Sequence, residues 1–423
     1  MLLPTVLASI WPWRPRFIAG RGLASLALAL VLFSAIGCDA KRVLAPEAMN
    51  VAADTSGGLG LSTLDPTCLR RAQGQALHLE GRSESGALWV IDKPAAWNGD
   101  LVVYLHGYTN PAQPVALPNN GAIRDSLLAR GFAVTASSYS SNGYAVQEGI
   151  HDSRQLSRRF AWQVARPRHT YLLGQSLGGL IGLLMTQKFP EQYDGSLLVS
   201  GIVGGSDEEV QYLGDIRVLF DTVYPNVLAG GLENPPVITD INAQVVQPVL
   251  QAVNANPQGL GIIQLLARRP LPGISNQEVA GSLINVLGFG MQGGGDLFAR
   301  THGHSFFDNA TWRYTSAALP PALLDDINAR VARYSIAPDA AAFLARFGEP
   351  SGNLRIPVIT MHKTRDPLVP VFHEDILGQV AAGPWLVQKR VEGYGHADFS
   401  AGELMVSFQE LVAMTANQHA PIF

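Results

Sequence analysis

Cysteine is scarce, with two in 423 residues, Cys38 and Cys68. So small a set excludes a disulfide-stapled scaffold and a cysteine-built metal framework. Charge is sparse as well: 15% of residues are charged, the net is −4, and no run of Lys or Arg forms a polybasic patch. That balance gives nucleic acid no footing as a partner. No glycine-rich dinucleotide fingerprint follows an early strand, so no redox cofactor is implied, and no cofactor of any kind is expected. A repeat of fixed period is also missing, which argues against a solenoid. Apolar residues are plentiful at 47%. Over this length they can fill the core of one large domain with an insertion, or of two domains.

The first acidic residue is Asp39. Before it, Arg14, Arg16 and Arg21 precede an apolar run from Leu23 to Phe33, and Ser34-Ala35-Ile36-Gly37-Cys38 follows. A positive segment, a short apolar segment and a small-residue exit make an export signal, too short in its apolar part for a comfortable membrane span. An uncleaved signal anchor is the alternative. Ala35-Ile36-Gly37-Cys38 is similar to a bacterial lipobox, in which the cysteine is acylated and becomes the new N-terminus. Loss of residues 1–37 removes three arginines and no acid, taking the net charge from −4 to −7. Acylation of Cys38 leaves Cys68 a lone thiol, whereas an unacylated Cys38 leaves a Cys38–Cys68 disulfide open. Met1 to Trp13 is itself apolar, so a translation start elsewhere than at Met1 is left open. The stretch from Asp39 to Gly60, rich in Ala and Gly, suits a flexible tether.

From Gly86 onward, short apolar runs alternate with helical periodicity, the signature of a mostly parallel sheet flanked by helices. Strands are predicted at Leu88–Ile91, Leu101–Leu105, Phe132–Ala136, Tyr171–Leu173, Ser196–Ser200, Val358–Met361 and Trp385–Lys389. Between Gly204 and Gly352 the rhythm breaks into Asn-, Gln-, Pro- and Gly-rich sequence with helix-like pieces at Gln247–Val253 and Leu323–Tyr334. One core interrupted by one insertion fits this better than two domains. The expected divisions are an export signal over 1–37, a tether over 38–65, core over 66–204 and 353–423, and an insertion over 205–352.

Gly174-Gln175-Ser176-Leu177-Gly178 lies between the strand Tyr171–Leu173 and the apolar run Leu177–Met185. A serine held on a sharp strand-to-helix turn needs glycines where side chains would strike the neighbouring backbone. Its hydroxyl is a weak nucleophile and needs a base, which in turn needs an orienting acid. Asp366 and His396 follow the last two predicted strands, in the order Ser, Asp, His. The backbone N–H groups of Leu177 and of Tyr108, in His106-Gly107-Tyr108, are the candidate oxyanion donors. Gly107 lets that chain turn, and His106 is read as packing beneath the site. His362 is read as a local structural histidine, and Asp398 follows His396 too closely to orient its ring. His373 and Glu374 are placed at a helix start, where an acid suits the dipole. His302 and His304 stand two apart without further ligands, so no metal is expected.

With these residues in place the chain resembles α/β-hydrolase-fold serine esterases over about Gly86–Ser206 and Ile356–Phe423. Tyr139–Gly149 and Phe307-Asp308-Asn309 are similar to exported bacterial esterases that carry a large lid. The resemblance implies that the insertion is that lid and that the partner is a small or polymeric ester. The lipobox likeness implies a place in the cell envelope, at a membrane through a lipid on Cys38; a periplasmic or secreted protein is the alternative. An amidase, a polyester depolymerase and a proline-releasing aminopeptidase share the fold. The peptidase needs an acid for the substrate amine, from Glu208-Glu209 or Asp325-Asp326, both of which otherwise read as solvated surface. A catalytically silent binding protein would be expected to have lost one of the three groups. Ser176 where an aspartate would stand excludes a haloalkane dehalogenase.

Overall fold

The computed structural model describes residues 74–381 and 383–418. The expected export segment, Cys38, the tether and Cys68 lie outside the described residues. Eight strands form one sheet: β1 (Leu77–Arg82), β2 (Leu88–Lys93), β3 (Leu101–Leu105), β4 (Ala133–Ser137), β5 (Thr170–Gln175), β6 (Gly195–Val199), β7 (Val358–Arg365) and β8 (Leu386–Tyr394). Their order across the sheet is β1-β2-β4-β3-β5-β6-β7-β8. β2 is antiparallel to both neighbours, and every pairing from β4 to β8 is parallel. This is the α/β-hydrolase arrangement, the fold class expected from the sequence.

The parallel strands are apolar throughout because both faces of the sheet are covered. Along β3, Leu101, Val103 and Leu105 enter one core and Val102 and Tyr104 the other. Helices α2 (Val146–Gln163) and α3 (Leu177–Lys188) cover the first face through Leu156, Phe160, Leu180 and Ile181. α1 (Gly121–Leu128) and α11 (Ala401–Gln418) cover the second through Leu127, Leu404 and Phe408.

β1 was not among the predicted strands. Its alternation of half-buried Leu77, Leu79 and Gly81 with exposed His78, Glu80 and Arg82 marks an edge strand solvated on one side. β7 also runs further than predicted, to Arg365, which puts His362 inside the strand and Asp366 at its first exit residue.

Between β6 and β7 the insertion is helical: α4 (Ser206–Val223), α5 (Gln247–Ala255) entered through a π-helical turn (Asn242–Val246), α6 (Pro257–Leu266), α7 (Asn276–Arg300), α8 (Pro321–Arg330) and α9 (Pro338–Gly348). α7 is 25 residues long and went unread in the sequence because Gly288, Gly290 and Gly293–Gly295 look like helix breakers. Tertiary packing overrides that propensity, since a Cβ on Gly294 would lie 2.6 Å from the Leu232 carbonyl oxygen. Ser275 caps the helix by accepting from the Glu278 N–H at 3.2 Å. The C-terminal part of α7 is tied to the core: Asp296 accepts from the Tyr144 N–H at 2.7 Å, and Arg300 donates to the Asn142 carbonyl at 2.8 Å. Tyr139–Gly149 is thus the core's attachment to the insertion. Phe307 and Asn309 are fully buried, and Asn309 receives the Tyr334 N–H at 2.8 Å.

Among the described residues, no helix is long and apolar enough to cross a membrane. The last described helix of the core is preceded by α10 (Phe372–Val380), which carries two residues that bear on the site.

Candidate active site

Ser176 ends the turn from β5 into α3 with φ 55° and ψ −124°. An L side chain in the positive-φ region is strained and persists where surrounding structure enforces it. The enforcement comes from both sides: Ser176 N–H donates to the Val199 carbonyl at 2.9 Å, and the Gly179 N–H donates to the Ser176 carbonyl at 2.8 Å. Gly174 and Gly178 are needed for close approach, since a Cβ on the first would overlap the Gly178 carbonyl and on the second the Leu105 carbonyl.

The loops after β7 and β8 bring the other two residues to Ser176. His396 Nε2 is 2.9 Å from Ser176 Oγ, and His396 Nδ1 lies 3.0 and 2.9 Å from the two Asp366 carboxylate oxygens. The Leu368 and Val369 N–H groups both donate to Asp366 Oδ1 at 3.0 Å. Burial alone would raise the Asp366 carboxyl. The His396 charge and hydrogen bond, the His362 charge and the Val369 N–H outweigh it and hold the group below its ordinary value. The Ala397 N–H, donating to Ser200 Oγ at 3.1 Å, pins the histidine loop to the end of β6. Asp398 is exposed, and the carboxylate facing His396 Nδ1 is that of Asp366.

Tyr108 and Leu177, whose backbone N–H groups are the candidate oxyanion donors, line the same cavity as Ser176. Leu177 opens α3, where the first N–H groups have no intrahelical partner. Neither its N–H nor that of Tyr108 donates to an acceptor among the described residues. Gly107 sits so near the serine that a Cβ there would be 3.0 Å from Ser176 Cβ. His106 is buried and stacked on Tyr139 with ring centroids 3.8 Å apart. Burial pushes its imidazole down to about 4, and its Nδ1 faces the Gly107 carbonyl at 2.7 Å. That is a neutral packing role below the loop.

Behind Asp366 lies a buried pair that sequence reading did not resolve. His362 Nδ1 is 3.0 Å from Glu374 Oε1 and its Nε2 is 2.7 Å from the Val369 carbonyl. Both partners are acceptors, so both ring nitrogens donate and the ring is an imidazolium. Burial alone would depress it, but Glu374 and Asp366 outweigh that and raise it. Its Nε2 is 3.8 Å from Asp366 Oδ2, placing a buried cation behind the acid.

A cavity opens at Ser176. Tyr108, Ser176 and Leu177 line it from the core, and Glu209, Leu213 and Phe289 line it from the insertion. Of the two acidic pairs, Asp325 and Asp326 are exposed and paired with Arg313 and Arg330, both at 2.6 Å. Glu208 pairs with Arg269 at 3.2 Å. Glu209 corrects the surface reading: it is 4% exposed and faces the cavity, because α4 turns that side of its first turn inward. His304 pairs with Asp339, and His302 is exposed in the turn after α7. Among the described residues, no group of three or more His, Cys, Asp or Glu is placed to hold a metal ion.

No protein-family model matches this sequence, and no curated protein does. Among solved structures the chain is similar to a Pyrococcus furiosus esterase, at 11% identity over 85% of this chain and 96% of that one, with a TM-score of 0.41. It is similar to a bacterial membrane phospholipase A at 13% identity, over 83% of this chain and 90% of that one, with a TM-score of 0.38. A Paleococcus ferrophilus monoacylglycerol lipase is 15% identical over 80% of this chain and 99% of that one, with a TM-score of 0.34. Likeness this distant says nothing about substrate, and the fold assignment stands on the strand order and the turn at Ser176.

Proposed function

We propose that this chain is a serine hydrolase that cleaves carboxylic esters through an acyl-enzyme, exported from the cytoplasm and held at a membrane by a lipid on Cys38. The observation that carries the reaction is the contact of Ser176 Oγ with His396 Nε2 at 2.9 Å, on a ring whose other nitrogen is held by Asp366. In that geometry His396 takes the hydroxyl proton as Oγ attacks the acyl carbon. The N–H groups of Leu177 and Tyr108 receive the developing oxyanion, and the imidazolium returns its proton to the departing alkoxide as the ester C–O bond breaks. Water, deprotonated by the same ring, then releases the acid and restores Ser176. The helical insertion acts as a lid, excluding water from the cavity and strengthening the oxyanion contacts.

Ser176→Ala is expected to lower kcat for p-nitrophenyl acetate by about 10⁴-fold or more while the thermal transition persists. Retained turnover would remove Ser176 from the mechanism. A series of p-nitrophenyl esters beside a p-nitroanilide and a proline anilide separates esterase from amidase and peptidase. For the location, Cys38→Ser is expected to move the protein from the membrane fraction to the soluble one, and unchanged fractionation would count against acylation.

A further inference from the structure

The polar side chains on the cavity wall are partnered inside the protein, with one exception. Ser176 has His396, the Tyr108 hydroxyl donates to the Gln292 carbonyl at 3.4 Å, and the Tyr144 hydroxyl pairs with Ser206 Oγ at 2.6 Å. Glu209 is only half satisfied. Its Oε2 is 2.8 Å from His373 Nε2, whereas its Oε1 is buried with no hydrogen-bond partner among the described residues. His373 Nδ1 accepts the Gly204 N–H at 3.1 Å, so the ring's proton is on Nε2 and is donated to Oε2. That leaves Oε1 as the carboxyl oxygen without a partner, on a residue that lines the cavity. A buried carboxyl oxygen without a partner is costly, and a ligand that supplies one gains what the apoprotein lacks.

We infer that Glu209 recognises a hydroxyl carried by the ester a few bonds from its scissile carbonyl, so that this chain prefers hydroxylated esters to plain alkyl ones. The inference rests on the esterase reading above and names the substrate class for the same site. A hydroxyl needs one partner and serves as donor or acceptor, so it fits Oε1 in either state of the acid. An ammonium carries three donors, and the surrounding wall of Val210, Leu213, Leu232, Phe289, Leu297 and Phe306 offers side chains with no acceptor for the other two. Burial and the nearby Asp366 charge push the Glu209 carboxyl well above its ordinary value, which further weakens any preference for a cation.

The test compares kcat/KM for matched esters in the full-length protein. The pairs are p-nitrophenyl 3-hydroxybutyrate against p-nitrophenyl butyrate and 2-hydroxyethyl butyrate against ethyl butyrate, so that the hydroxyl is offered on the acyl and on the alcohol side. p-Nitrophenyl 3-aminobutyrate gives the ammonium arm. At least one hydroxylated ester is expected to exceed its plain partner by about tenfold or more. That ratio is expected to fall toward one in Glu209→Leu and to take an intermediate value in Glu209→Gln, which keeps the shape and one acceptor. Both are ratios within one protein, so a partly unfolded variant does not distort them. Turnover of plain esters with ratios near one in the wild type would overturn the inference and leave the esterase reading standing. So would a ratio unchanged in both variants, which would mean that water serves Oε1, or preference for the amino ester. Failure to turn over any ester would overturn both readings.

Discussion

Two histidine–glutamate pairs meet on α10, from the adjacent residues His373 and Glu374, and they hold their protons in opposite ways. Glu374 faces the sheet, where it binds His362; His373 faces the insertion, where it binds Glu209. In the sheet-side pair every polar atom has a use. Glu374 Oε2 also accepts from Thr360 Oγ1 at 2.5 Å and Gln388 Nε2 at 2.7 Å, and His362 donates at both nitrogens. Burial alone would raise Glu374, but His362, Thr360 and Gln388 hold it below its ordinary value. The result is a buried ion pair whose cation faces Asp366. In the insertion-side pair one nitrogen of His373 already accepts a backbone N–H, and burial with the His362 charge pushes the ring down to about 3. This histidine is neutral, and the carboxyl opposite it keeps a free oxygen. The same two side-chain types therefore build a closed support behind Asp366 and a half-satisfied pair on the cavity wall. What decides between them is whether the histidine's second nitrogen meets a carbonyl or an N–H.

The largest effect should come from breaking the closed pair. Glu374→Leu leaves the His362 imidazolium buried without its counter-ion, and a loss of about 3–5 kcal/mol in urea unfolding is expected. A loss below 1 kcal/mol would show that His362 sheds its proton instead. Glu209→Leu removes only the acceptor for a neutral N–H, together with an oxygen that had no partner, so its cost should stay at or below about 1–3 kcal/mol. A penalty as large as that of Glu374→Leu would mean that the second pair is ionic too. Histidine ¹⁵N spectra at pH 7 sharpen the contrast directly: two protonated nitrogens on His362, and one, Nε2, on His373.

A third carboxyl gives the smallest effect, and it depends on pH. Glu349 accepts the Asp207 N–H at 2.9 Å where α4 begins, and burial pushes it from 4.5 up to about 7. The folded protein then holds this proton more tightly than the unfolded chain does. Stability from this group is therefore greatest below pH 4.5, falls as pH rises from 4.5 to about 7, and is level above that. Glu349→Gln should leave Tm unchanged near pH 4.5 and raise it relative to wild type at pH 8. An equal shift at both pH values would remove the carboxyl as its cause.

Much of the chemistry near Ser176 was legible because it is local. The motif, the strand before it and the helix after it occupy one continuous stretch, and steric need fixes the glycines. Asp366 and His396 were legible through chain order, since each leaves its own strand at the same edge of the sheet. The insertion was opaque. α7 hides behind six glycines, and Glu209 sits in Ser206-Asp207-Glu208-Glu209, an acidic first turn that reads as solvated. Only the packing of α4 against α7 and α10 turns one carboxyl of that run inward.

By itself, then, the amino-acid sequence determined the parallel strands of the sheet, the strained serine and the order of its partners, because period, glycine placement and chain order are properties of neighbours along the chain. Tertiary structure alone decided which histidine carries a charge and which acid faces the cavity. Those outcomes depend on whether a donor or an acceptor, distant in sequence, is brought within about 3 Å in a dry interior.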